Sequence, residues 1–213
     1  MRYLTTIIAL LLTFGIGMAQ KNANAKDVLD ATASRLTNEK GVQANFKAEI
    51  FNDGVSQGYT MGTMSFMNNK FQMTTPDIIS WYDGSTQWSY IKANEEVNVS
   101  IPTPEEQENM NHYVFVNLYK NGYKYKMKET ELRGEPCYEV TLTAKSKKKN
   151  VHTLILNINK KDYSLMCVRM TDRQSGKWTR ISIHDFKSGL TFGEDDFKFN
   201  AKDFPNAEII DLR

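Results

Sequence analysis

The sequence predicts a single α+β domain in which a strongly curved antiparallel β-sheet wraps around one or two helices. Three observations point to this. Between Gly58 and Tyr90, short runs rich in Phe, Trp, Tyr and Met are separated by turn residues at Asn68-Asn69, Thr75-Pro76-Asp77 and Asp83-Gly84, the mark of a meander of antiparallel strands. From Val42 to Ile50, apolar Val42, Ala44, Phe46, Ala48 and Ile50 alternate with polar residues, so one face of that strand is dry and the other wet. From Lys26 to Asn38 the spacing is helical instead: Val28, Leu29, Ala31, Thr32 and Leu36 form one narrow apolar stripe that must lie on something.

Residues 1–19 are not read as part of this fold. Arg2 is followed by the mostly apolar Leu4 to Phe14, and Gly17-Met18-Ala19 places small residues at the positions a signal peptidase reads. The expectation is a secretory signal peptide cut after Ala19, too short for a spanning helix; an uncleaved N-terminal anchor is the other reading. Residues 20–213 then form one domain with room for a sizeable core. No Cys follows the apolar run, so the mature chain is not expected to be a lipoprotein itself. The formal net charge of the whole chain is +2, and the leader removes one Arg and no acid. Near-neutrality gives no case for nucleic-acid binding. Cys137 and Cys167 meet oxidising conditions in an exported protein, but one strand separates them with an offset along it. Their Cα atoms are then expected about 14 Å apart, too far for a bridge, so two free thiols follow.

The elements follow in order. The helix carries Asp27 and Asp30 in its first turn, where the dipole favours anions, and ends at Gly41. The alternating strand turns at Asn52-Asp53-Gly54 and returns from Tyr59 to Met67, with Gly62 in mid-strand read as a bend or bulge. Asp83-Gly84 is read as a type I′ hairpin turn, entered by Trp81 and Tyr82 and left by Trp88 and Tyr90. Glu95 to Ile101 is another strand, broken by Pro102 and Pro104. Thr103 is read as the cap of a second helix with Glu105, Glu106 and Glu108 in its first turn, running through Tyr113–Tyr119 to Asn121-Gly122; its Val and Phe content also permits a strand. The second half is a meander of Tyr123–Leu132, Pro136–Ala144, Val151–Ile158, Tyr163–Thr171 and Trp178–Phe186. The turn Lys145 to Asn150, with four lysines, is either a solvated tip that blocks edge pairing or a prong for an acidic surface.

The helix after a leader, the Gln-Ala-Asn-Phe-Lys strand, Gly62 to Phe66, Lys70-Phe71, Pro76, Asp83-Gly84 and Trp88-Ser89-Tyr90 resemble, in that order, the periplasmic outer-membrane lipoprotein carrier family of the LolA type. The tail from Phe192 to Arg213, with a Phe-Lys-Phe strand, Pro205 and a short acidic finish, is similar as well. The resemblance implies an unclosed antiparallel half-barrel covered by lid helices, whose cavity shields lipoprotein acyl chains between an inner-membrane release complex and an outer-membrane acceptor. It implies a periplasmic monomer without a cofactor. The lipid-binding residues expected on this basis are Phe46, Ile50, Met64, Phe66, Phe71, Met73, Trp81, Trp88, Tyr90, Phe115, Leu118, Leu156 and Met166. Adaptable Met suits acyl chains of variable shape, and Met61, Met67 and Met170 join the same group; an ordinary core is the competing use of all these side chains. One feature of the family is missing. Its Arg-Pro pair after the second strand, whose Arg holds the lid shut, is replaced by Asn68-Asn69, so a weaker or different gate is expected, with Asn68 able to donate a neutral hydrogen bond to the lid.

Catalysis finds little support in the sequence. His112, His152 and His184 are scattered, His184 and Asp185 are adjacent in a strand and so expected on opposite faces, and no metalloprotease helix, paired-cysteine metal spacing, nucleophile elbow or phosphate loop occurs. A lipid or lipoprotein sensor of the same fold is the alternative function, and a secreted hydrolase the rival from another class.

Overall fold

A computed structural model of the chain describes residues 24–36, 40–103, 119–120, 122–146, 151–172 and 177–213. Helix α1 (Ala25–Leu36) starts at Asn24, whose side chain accepts the Asp27 N–H at 2.9 Å and donates back to the Asp27 carboxylate at 2.8 Å. The first of these bonds satisfies one of the backbone donors that the first turn leaves open. The strands are β1 (Gly41–Asn52), β2 (Val55–Met67), β3 (Lys70–Thr74), β4 (Ile78–Tyr82), β5 (Gln87–Ile91), β6 (Glu96–Ser100), β7 (Tyr123–Leu132), β8 (Glu135–Ala144), β9 (Val151–Asn159), β10 (Leu165–Asp172), β11 (Lys177–Leu190) and β12 (Glu208–Asp211). They form one twelve-stranded sheet in the order β12-β6-β5-β4-β3-β2-β1-β11-β10-β9-β8-β7. Every pairing is antiparallel except that of β12 with β6. The outermost strands β7 and β12 do not meet, so the curved sheet stays open as a half-barrel.

Period two sorts the side chains. Val140 and Leu142 on β8, Leu154, Leu156 and Ile158 on β9, and Val168 on β10 are directly paired across neighbouring strands and point to the inner face. Val28, Leu29, Ala33 and Leu36 of α1 join them in one buried cluster. The helix is amphipathic because it has this surface to cover, and Ala33 lies in the stripe while Ala31 is only half-buried.

Two expected turns form and one differs. Asp53 and Gly54, with φ of 48° and 81°, and Arg133 and Gly134, with 55° and 79°, make the two-residue hairpins with positive φ at both positions. Asp83-Gly84 does not. Tyr82 pairs with Gln87, leaving a four-residue loop in which only Gly84 has positive φ and the Asp83 carboxylate accepts the N–H groups of Ser85 and Thr86 at 2.9 and 2.8 Å. Gly62 sits in regular register opposite Phe46, and the register shift of this pair of strands lies between Ile50 and Phe51. What Gly62 supplies is space: a Cβ there would stand 2.2 Å from the Thr74 carbonyl oxygen and 2.9 Å from Cζ of Phe46. Gly62→Ala is therefore expected to cost about 1–3 kcal/mol, read as a lower urea midpoint with an unchanged slope.

The Phe-Lys-Phe of the tail is not a strand. Glu194–Phe197 and Ala201–Asp203 are short 3-10 turns, and the strand comes later, as β12. Lys70 at the start of β3 pairs with Glu194 and ties this tail to the meander.

Candidate functional site

The inner face divides into two parts. Over β8 to β10 it is closed by α1. Over β1 to β4 a second cluster, Val42, Phe66, Phe71 and Tyr82 with half-buried Met64 and Met73, contains no residue of that helix, and Phe186 packs against both clusters. From there the dry side of β1 continues through half-buried Phe46 and Ala48 to Ile50, which is 51% exposed. The partners of Phe46, Ala48 and Ile50 on β2 are Gly62, Thr60 and Gly58. Little side-chain volume stands on that side, so the floor of the sheet beside Phe46–Ile50 is low. On the other flank the band ends in polar residues: Ser80 and Ser89 face each other with hydroxyls 3.3 Å apart, and Gln87 donates to Ser89 at 3.3 Å. The result is an apolar strip bounded by a hydroxyl border.

The structure thus places Phe46, Ile50, Met64, Phe66, Phe71 and Met73 on one face of the sheet, the last four in one cluster. It separates Trp81, Trp88 and Tyr90 from them. Tyr82 takes the inner position opposite Phe71, so its neighbour Trp81 must point outward, in register with Trp88. The outer face there is covered by the tail, with Phe204 at 5.6 Å from Trp81 and 4.6 Å from Tyr90, ring centre to ring centre, and Phe199 at 5.8 Å from Trp81. These aromatics are a second, outer core. Leu156 is on the inner face but only 1% exposed, between Val140 and Val168 under α1. Met166 leaves the inner face because the register of β10 slips between Leu165 and Cys167, which gives the inner place beside Ile158 to Leu165. Met61 and Met67 alternate with the inner residues of β2 and face out, whereas Met170 pairs with Leu154 on the inner side. Phe115, Leu118, the second helix, His112 and the tip lysines Lys147–Lys149 lie outside the described residues.

Cys137 and Cys167 are both buried free thiols on the outer face, with Asn157 between their strands donating to Cys137 Sγ at 3.8 Å. Burial pushes both thiols above their ordinary pKa. His184 and Asp185 do not alternate as expected. The pairing of β1 with β11 shifts between Gln43 and Asn45, Asp185 takes φ of 49°, and both residues border one shallow depression of about 360 Å³ with Arg133 and Glu135. Arg133 Nη2 donates to the carbonyls of Met166 and Ile183 at 3.0 Å each, and its Nη1 stands 2.8 Å from His184 Nδ1. Among the described residues no cluster of His, Cys, Asp and Glu is placed to hold a metal ion.

α1 carries an attachment of its own. Arg35 in its last turn donates to Asp162 of the β9–β10 turn at 3.0 Å and lies over the Phe186 ring at 5.0 Å. Asp30 accepts bonds from Lys26 and from the Tyr119 hydroxyl. Burial, helped by that bond, raises the Tyr119 phenol well above its ordinary pKa. Asn68 provides the positive φ, 57°, of the β2–β3 turn. Arg35→Ala removes a half-exposed ion pair worth about 0.2–1 kcal/mol and a cation–π contact worth about 0.5–1 kcal/mol. The expected result is faster amide hydrogen exchange confined to α1, with little change in the exchange of β8 and β9.

A family model for the outer membrane lipoprotein carrier protein LolA matches residues 15–174, a stretch that runs through β10. The chain belongs to this LolA family. The matched stretch holds α1 and the apolar strip of β1 to β4, whereas β11 and the aromatic tail lie beyond it. No curated protein matches the chain. Among solved structures, an uncharacterized conserved protein from Thermus thermophilus is 12% identical, covers 88% of this chain and 98% of its own length, and superposes with a TM-score of 0.60. A LolA superfamily protein from Nitrosomonas europaea is 10% identical over 83% of this chain and 98% of its own, with a TM-score of 0.45. The Pseudomonas aeruginosa MucA/MucB complex gives 13% identity over 84% of this chain and 62% of its own, with a TM-score of 0.44. At 12% identity the likeness to the Thermus thermophilus protein is one of fold alone. None of the described helices is long and apolar enough to cross a membrane.

Proposed function

We propose that this LolA-family protein is an exported, monomeric carrier that shields the acyl chains of lipoproteins in the periplasm, receiving them from an inner-membrane release complex and handing them to an outer-membrane acceptor. The single observation that supports this reading is the apolar strip of Phe46, Ile50, Met64 and Met73, which continues past the part of the inner face that α1 covers. Each methylene shielded there from water gains about 0.8 kcal/mol, which offsets what the chain loses on leaving the hydrocarbon of a membrane. The reading uses no catalytic residue and no cofactor.

Native mass spectrometry after detergent-free purification from periplasm tests it. A co-purified acylated ligand, displaced when fresh lipoprotein is added, is the expected result, together with extraction of labelled lipoprotein from inner-membrane vesicles. Ligand-free protein that also fails to extract lipoprotein overturns the proposal. Binding of free lipid without extraction favours the sensor of the same fold.

A further inference from the structure

An open sheet has two edges, and one of them is β7. β7 is ten residues long, pairs along its whole length with β8, and is the last strand of the sheet among the described residues. Its residues from Lys124 to Glu131 are exposed apart from half-buried Met127, so its outward row of N–H and C=O groups is a template for strand addition. The two faces of this edge differ in chemistry. Lys124, Lys126 and Lys128 alternate with Tyr125 and Met127; the lysines are on the outer face beside Thr143, Thr141 and Glu139, and the apolar pair is on the inner face beside Leu142 and Val140. Lys128 is engaged by Glu139 at 3.0 Å.

We infer that the β7 edge docks an extended segment of a protein partner in which acidic residues alternate with apolar ones. The pattern follows from the register of a neighbouring strand. Side chains directly across from Lys124 and Lys126 lie about 4.5–5.5 Å away between Cβ atoms, where acids are attracted and bases repelled, while the intervening residues fall beside Tyr125 and Met127 and must be apolar. The same lysines exclude a second copy of the chain, since two β7 edges laid together bring basic rows against each other. Edge defence and partner choice are thus served by one feature: the strand is closed to itself and open to an oppositely charged strand.

The test uses the intact mature protein and a fluorescein-labelled peptide of alternating Glu and Val, N-methylated along one edge so that it cannot self-associate, with the Lys–Val peptide as its counterpart. The acidic peptide is expected to bind, the basic one to bind at least tenfold more weakly, and the K124E/K126E double variant to reverse that preference. Both substituted side chains are exposed, and an unchanged Tm of the variant shows that it is folded; K124Q/K126Q should fall between. Equal binding of both peptides, no binding of the acidic one, or a preference untouched by the charge reversal overturns the inference. So does a dimer of the unmodified protein whose formation is abolished by K124E/K126E. The readout is independent of acyl-chain binding, so its failure leaves the carrier reading standing.

Discussion

Leu156→Ala is expected to lower the unfolding free energy by about 2–5 kcal/mol, a large part of the stability of a domain this size. Leu156 is 1% exposed and lies at the middle of β9, flanked on its own face by Val140 and Val168. Leu154 and Ile158 stand on the same face two residues either side, and Val28, Leu29 and Leu36 of α1 belong to the same cluster. With strands on both sides and a helix above, the surrounding atoms cannot collapse into the space left, so the cavity adds to the lost transfer energy. Chemical denaturation should show the whole loss as a lower midpoint with an unchanged slope, while acyl-probe affinity, measured well below the transition, stays within twofold. A loss of affinity with unchanged stability would mean that Leu156 lines a cavity and that α1 does not seal this part of the sheet.

Acid is expected to act through the outer face of the same strands. Glu139 accepts from Lys128 at 3.0 Å and from Arg169 at 2.9 Å. Burial alone raises its pKa, but the Lys128 hydrogen bond and the charges of Lys128 and Arg169 outweigh it and leave the carboxyl below its ordinary value. A carboxyl depressed in the folded state releases its proton more readily folded than unfolded. Its contribution to stability is therefore complete above the unfolded value of about 4.3 and lost as pH falls through the lower folded value. Glu139→Gln should flatten the stability profile in that window and leave the region above pH 6 parallel to the unsubstituted protein, as read by urea titrations at a series of pH values.

How much of this could be read from the residues alone depends on whether the signal was local. The five strands from Tyr123 to Phe186 and the alternating strand at Val42 were legible because period two is a property of consecutive residues; the structure starts and ends most of them within one or two positions of that reading. Two free cysteines followed from the same meander. The expected site was legible only in part. Alternation assigns neighbours to opposite faces, so Trp81 and Tyr82 could not both be inside, but nothing local says which of them is. That was decided by the register with Phe71 and by a tail more than a hundred residues away, whose Phe199 and Phe204 cover the outer aromatics. Asp83-Gly84 between two aromatic pairs has the local chemistry of a tight hairpin, yet the pairing of Tyr82 with Gln87 fixed a longer loop. Slips of register were invisible too: the one before Cys167 removed Met166 from the inner face, and the one at Asp185 brought that residue beside His184. The absence of the family's Arg pointed only to a weaker or different gate, whereas the tie of Arg35 to Asp162 and Phe186 depends on where the β9–β10 turn meets the end of α1.

A charge on the open strip is expected to remove acyl-chain binding while sparing the fold, and Ile50→Glu is the variant that separates the two. Ile50 is 51% exposed, stands opposite Gly58 and belongs to neither buried cluster, so the substitution should change stability by no more than about 0.5 kcal/mol. In a carrier loaded with hydrocarbon the same position is dry. An ionised carboxylate there either loses its hydration, at a cost of several kcal/mol, or keeps water in the strip and denies the chain its contacts; both weaken binding by tenfold or more. Met73→Glu, farther along the strip beside Met64, should weaken binding at least as much but also lower the Tm, because Met73 is packed against the Val42–Phe66–Phe71–Tyr82 cluster. Ile50→Gln brings polarity without charge and should fall between Ile50→Glu and the unsubstituted protein. Displacement of a fluorescent fatty-acyl probe, measured beside thermal unfolding for each variant, gives the comparison. If Ile50→Glu and Met73→Glu bind the probe as the unsubstituted protein does, the acyl chains do not lie on this strip. If only Met73→Glu loses binding, in step with its stability, the strip is core and its openness at Ile50 has no part in function.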